Sequence, residues 1–202
     1  MAAESTLKNM VLCLTAVCLL CAAVVGGVYA VTAAPIAEAA QAKTTASIAR
    51  VLPEFTATPA PGSIEVNGTD FTYYQVDGTG CAVVSTVSGF GGPLTLMVGV
   101  TEEGTIHNSV VLSHSETPGL GAKCATDESF LAQFRGLNPA AKKLSVKKDG
   151  GDLDAITAST ITSRAYALAV SNAVAVADYL SGRSGSVDAS TGATAGQKQK
   201  EE

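Results

Sequence analysis

The chain has 202 residues, 47% of them hydrophobic, a formal net charge of −5 and an isoelectric point near 5.0. That length holds one domain with a real core plus additional segments. The acidic balance gives no basic field to draw phosphate backbones, and the 5% aromatic content, without Trp, leaves few platforms for bases, so no nucleic-acid partner is expected.

From Met10 to Val31 the chain is apolar, and no charged residue stands between Lys8 and Glu38. A membrane-spanning helix needs about 20 such residues, whereas the apolar part of a cleaved signal is about 7 to 15, so an uncleaved anchor embedded in lipid is expected. Leu20 before Cys21 argues against a lipoprotein signal. Lys8 on one side is balanced by Lys43 and Arg50 on the other, so charge alone leaves the orientation open.

After the anchor, Pro35 to Arg50 is rich in helix formers and reads as a helical stalk, broken by Pro53, Pro59, Pro61 and Gly62. Four short β-type runs follow: 71–76, 81–87, 94–100 and 105–112, separated by Asp77-Gly78, Gly89 to Pro93 and Glu102 to Gly104. A four-stranded meander needs a covering layer. Asp127 capping a short helix that ends near Gly136, and an Ala- and Val-rich helix from about Ser163 to Leu180, would supply it. The expected class is α+β: a transmembrane helix, then a small antiparallel-sheet domain with packed helices. The expected divisions are 1–9, an anchor at 10–31, a stalk and linker at 32–62, a domain at 63–181 and a polar tail at 182–202. The five cysteines form no metal signature. Cys13, Cys18 and Cys21 lie in the apolar run, while Cys81 and Cys124 either pair in an oxidising compartment or remain two buried thiols.

Two stretches carry chemistry. Residues 154–163, DAITASTITS, place several hydroxyls where a helix begins. Thr157, Ser159 and Thr162 can serve as ordinary caps, or the free N–H groups can receive a phosphate. Residues 114–123, HSETPGLGAK, read either as a tight loop turning at Pro118-Gly119 or as a loop whose backbone approaches a flat ligand.

With the anchor, these two motifs, in this order and about 40 residues apart, closely resemble the G subunit of the Rnf electron-transport complex, from Leu7 to about Leu180. They resemble less closely, in length, the C subunit of the sodium-translocating NADH:quinone reductase. A third alternative is an anchored binding domain that has lost its flavin. The resemblance implies FMN held by a phosphoester on the last threonine of an Asp-x-x-(Ser/Thr)-Gly-Ala-Thr pattern. On this chain that makes Asp154 the leading acid, Thr157 the first hydroxyl and Thr160 the acceptor, with Ala158 in place of Gly, Ser159 in place of Ala, and Ile161 and Thr162 completing the segment. It also implies that His114, Glu116, Thr117, Gly119, Leu120 and Gly121 line the flavin or shape its pocket, with Glu116 and Thr117 as polar contacts.

The tail stretch 188–194, DASTGAT, fits the acceptor pattern better and makes Thr194 a second candidate, but it lacks a following helix and a strand framework. A threonine hydroxyl is a weak nucleophile. The resemblance accordingly implies maturation by a separate magnesium-dependent flavin transferase that uses FAD and releases AMP. With neither a G-x-G-x-x-G nor a Cys₄ motif, the chain is expected neither to oxidise NADH nor to hold iron–sulfur clusters. The resemblance implies other membrane subunits as redox partners, electron flow between ferredoxin and NAD coupled to Na⁺ or H⁺ transport, and a bacterial inner-membrane location with the flavin domain outside the cytoplasm.

Overall fold

The computed structural model describes residues 7–66 and 68–183. Helix α1 spans Leu7–Val51, and the contacts divide the chain into two compact units that meet within it, between Thr45 and Ala46. The first unit is long and apolar enough to cross a membrane, and its large side chains, among them Leu12, Leu14, Leu19 and Leu20, are exposed. Thr15 and Thr32 donate their hydroxyls to the carbonyls of Val11 and Val28, both at 2.8 Å, which satisfies these polar groups without water. The helix continues through Pro35 to Val51, as the helix-forming composition predicts.

The second unit is built on an antiparallel meander: β1 (Ala60–Val66), β2 (Thr69–Val76), β3 (Gly80–Ser88), β4 (Pro93–Thr101) and β5 (Ile106–His114), in that order across the sheet. Four of these are the predicted runs, and β1 is a fifth. Pro61 and Gly62 suggested a break, but β1 is an edge strand, where a proline can face away from the ladder. Gly62 pairs with Tyr73, and a Cβ there would overlap the Tyr73 ring, so the glycine makes room for its cross-strand neighbour.

Both faces of the sheet are covered. Towards one lie Leu94, Leu96, Val98 and Val100 of β4 and Val83 of β3, packed against Ala169, Val170, Ala173 and Val174 of α3 (Thr160–Leu180). Small residues on α3 let the helix approach the sheet closely. Phe130 of α2 (Glu128–Leu131), Phe134 and Tyr166 form an aromatic cluster with ring centroids 4.8 to 5.3 Å apart. Asp127 caps α2 as predicted, its carboxylate accepting from the backbone N–H of Ser129 at 3.0 Å. Towards the other face, Ile48, Val51 and Leu52 pack on Val76, Ala82 and Met97.

β4 is therefore apolar on both sides, which accounts for its near-continuous hydrophobic run. At Gly99 the sheet meets the Val51 carbonyl so closely that any Cβ would overlap it. Gly99→Ala is expected to push the end of α1 off the sheet and to cost about 2 kcal/mol, in the range of overpacked cores. Urea denaturation of the variant, compared with wild type, checks this.

Cys81 and Cys124 are buried, free thiols in the α3-side core. Burial pushes both up to about 11, and pushes the Tyr166 hydroxyl, which shares a 2.8 Å hydrogen bond with Ser109 Oγ, up to about 12. The folded chain thus holds these protons more tightly than the unfolded chain. Their contribution is complete below pH 9 and is lost as pH rises through 9 to 12. Tyr166 alone accounts for a fall of about 1.4 kcal/mol per pH unit above its ordinary value. Denaturation midpoints measured from pH 8 to 11 should decline, less steeply in Tyr166→Phe; parallel declines would contradict the assignment.

Candidate functional site

The predicted motifs converge at one end of the sheet. β5 ends at His114, whose Nδ1 accepts from the Glu116 N–H at 3.3 Å. The chain then turns through Pro118 and Gly119, with the Leu120 N–H donating to Thr117 O at 3.2 Å and φ at Gly119 of +77°, as a type II turn requires.

Glu116 is 5% exposed. Its Oε1 accepts from the Phe90 N–H at 2.8 Å and its Oε2 from Thr162 Oγ1 at 2.9 Å. A single carboxylate thus joins the β3–β4 turn, the loop after β5 and the first turn of α3. A Cβ at Gly89 or at Gly121 would overlap one or other of its oxygens, so both glycines are needed to seat it.

The acceptor segment differs in one respect from the ordinary capping alternative. α3 begins at Thr160, three residues before the predicted start, and the N-cap residue Ser159 makes no side-chain cap bond. Thr162 Oγ1 is committed to Glu116, and Ser163 Oγ accepts from the Ile156 N–H at 2.9 Å while donating to Ser159 O at 3.0 Å. The first N–H groups of a 21-residue helix are therefore left without a side-chain acceptor, and the dipole at that end favours an anion. Ala158 enters this turn at φ 62°, the single left-handed non-glycine among the described residues, which explains why glycine is suited to that position.

Between loop and helix lies a cleft of about 360 Å³ lined by Glu116, Thr117, Leu120, Gly121 and residues 158–162, together with Phe90. Phe90, Leu120 and Ile161 are 67%, 45% and 43% exposed, so the cleft presents apolar walls beside the Thr160 hydroxyl. Its volume falls in the lower part of the range for ligand sites. An aromatic ring with a phosphate tail fits this pairing of apolar walls with uncapped N–H groups. His114, Gly119, Asp154 and Thr157 lie outside the lining. Thr194 lies outside the described residues.

Asp154 acts on the segment from behind. Its carboxylate pairs with Lys147 at 2.7 Å, and its backbone N–H and carbonyl are held by the Gln133 amide at 2.7 and 3.3 Å. In the same short turn, Lys147–Asp149, Asp149 accepts two hydrogen bonds from Arg164, at 2.7 and 2.6 Å, and that guanidinium holds its carboxyl below the ordinary carboxylate range. Between these two anchors, Lys148 Nζ donates to Thr160 Oγ1 at 3.3 Å. Phe90 and Lys148 are the site residues that sequence reasoning missed. Phe90 had one signal, an aromatic residue inside the glycine-rich turn GFGGP; Lys148, in a polar surface run, had none.

The FMN-binding domain profile matches residues 89–175, the stretch that contains every residue lining the cleft. The chain is 34% identical over 167 residues to the G subunit of the proton-translocating ferredoxin:NAD(+) oxidoreductase complex of Clostridium ljungdahlii, covering 80% of this chain and 86% of that one. It is 47% identical over 90 residues to the G subunit of the ion-translocating oxidoreductase complex of Shewanella baltica, covering 43% of this chain and 42% of that one. It is 40% identical over 107 residues to the protein of the same name in Vibrio cholerae, covering 50% and 51%. The chain thus belongs to the family of G subunits of ion-translocating oxidoreductase complexes. Against the Shewanella and Vibrio relatives it spans about half their length. Membership and the apolar helix together give it a membrane location.

Proposed function

We propose that the chain is an electron-carrying member of a membrane complex and that it holds FMN through a phosphoester on Thr160. The observation that carries this reading is the position of Thr160: first residue of α3, at an uncapped helix start, on the floor of a cleft walled by Phe90, Leu120 and Ile161. FMN supplies the redox chemistry, and the protein's part is to bind and orient it. The helix N–H groups receive the phosphate and the apolar walls exclude water from the ring. Glu116 acts as the brace that holds the two walls in register, since both its oxygens are engaged within the protein.

Attachment is a transfer from FAD by a magnesium-dependent flavin transferase. The Thr160 oxygen forms a bond to the FMN phosphorus, the pyrophosphate P–O bond breaks, AMP departs with the electron pair, and the hydroxyl proton is released. The complex passes electrons between ferredoxin and NAD and couples this to translocation of Na⁺ or H⁺; the name of the Clostridium relative describes a proton-translocating ferredoxin:NAD(+) reaction for its own complex. The flavin domain stands on the extracytoplasmic side, and its sheet opens with β1 at Ala60, ahead of the expected boundary at 63.

Mass analysis of the full chain co-expressed with such a transferase tests the linkage. Trypsin separates residues 149–164 from residues 184–198, so the two candidate acceptors fall on different peptides. The first is expected to gain about 440 Da, the mass of FMN less water. No gain, or a gain on the second peptide alone, sinks the assignment.

A further inference from the structure

The acceptor hydroxyl has a charged neighbour that neither the motif nor the family match assigns. We infer that Lys148 is the counterion of the phosphoester: its ammonium is held over the Thr160 oxygen before attachment and pairs with the phosphate oxygens afterwards. This rests on the reading of Thr160 as the acceptor.

The geometry is specific. Three consecutive residues of one turn engage the acceptor segment and the helix it opens: Lys147 binds Asp154, Asp149 binds Arg164 of α3 in two-point fashion, and Lys148 between them reaches Thr160 Oγ1 at 3.3 Å. The turn is closed by the Gly150 N–H donating to Lys147 O at 3.1 Å, with φ at Gly150 of +76°, and is joined to the acceptor segment by the Lys147 N–H donating to Leu153 O at 2.8 Å.

Exposed ion pairs contribute little stability singly. Here their effect is orientation, because each flanking residue is fixed to the segment that carries the hydroxyl. The neighbouring cations Lys147 and Arg164 already face carboxylates, whereas the hydrogen bond of Lys148 goes to the uncharged hydroxyl. A phosphate placed on Thr160 brings one negative charge to that ammonium and to the α3 start, a pairing in which the hydrogen bond becomes charge-assisted. In the transfer step the same ammonium stabilises negative charge building on the phosphoryl oxygens as the Thr160 oxygen bonds to phosphorus and AMP leaves.

The test uses the full chain in detergent with purified transferase, FAD and Mg²⁺. Lys148→Met should lower kcat/KM for adduct formation about tenfold, Lys148→Arg should restore most of it, and Lys142→Met, the same charge loss on the exposed surface, should leave it unchanged. The ³¹P resonance of the attached group should also move in Lys148→Met relative to wild type, which a merely structural role would not cause. Equal rates in Lys148→Met and wild type overturn the inference. A slow Lys148→Met with an unmoved ³¹P resonance assigns the effect to recognition by the transferase and overturns it too. Absence of an adduct on Thr160 in wild type overturns the acceptor reading itself, and with it this one.

Discussion

Thr160→Ala is expected to carry no covalent flavin on residues 149–164, with folding essentially unchanged. Neighbouring hydroxyls do not take over. Thr162 is 1% exposed and donates to Glu116, Ser163 is fully buried and bonded to Ser159 O, and Thr157 stands outside the cleft lining. Ser159 also lines the cleft, but it is 7% exposed whereas Thr160 is half-buried, so its hydroxyl is the less accessible of the two. The change in stability should stay within about 0.5 kcal/mol, since Thr160 is partly exposed and its hydroxyl bonds only to a surface lysine. The measurement is intact and peptide mass together with a melting curve. An adduct of undiminished yield in Thr160→Ala that vanishes in Thr194→Ala would move the site to the tail.

Glu116→Ala should have the largest effect on stability, about 3 kcal/mol, corresponding to a fall of roughly 6–12 °C in Tm for a domain of this size. Two donors lose their acceptor at once: the Phe90 N–H and the Thr162 hydroxyl, the latter 1% exposed. The lost carboxylate also leaves a void between Gly89 and Gly121, whose missing side chains were the space it filled. Glu116→Gln should be milder, about 1 kcal/mol, because the amide oxygen still accepts from Phe90 and the amide nitrogen donates to Thr162, whose hydroxyl can reverse its role. Thermal and urea melts of the three proteins give this order. Wild-type stability in Glu116→Ala would show that the carboxylate does not brace the cleft. The same variant should lower flavin attachment, because the loop wall and the helix wall are no longer held together.

Much of the architecture follows from local pattern. Strands β2 to β5, the Asp127 cap and α3 are visible as alternation, a short carboxylate before an apolar run, and an Ala-rich helix pattern. β1 was hidden because Pro61 and Gly62 are breakers in isolation, and only the partner strand reveals that one sits on an edge and the other beneath Tyr73. The early start of α3 was hidden for a similar reason. Hydroxyl-rich residues compete with helix locally, and the bond from Thr162 to a glutamate 46 residues away helps hold them in it.

The sequence by itself determined the order of parts: an apolar helix, a meander, a loop with a type II turn, and a hydroxyl cluster opening a helix. It also determined the family, because two motifs at fixed separation carry that information without coordinates. The tertiary structure decided which residues meet. It turned Glu116 from one acid in a loop into a brace across three segments, placed Phe90 and Ile161 in one cleft, and set Lys148 on Thr160. These relations depend on separations from 12 residues (Lys148 to Thr160) to 71 (Phe90 to Ile161), closed by the packing of α3 on the sheet, a distance over which neither propensity nor periodicity carries a signal.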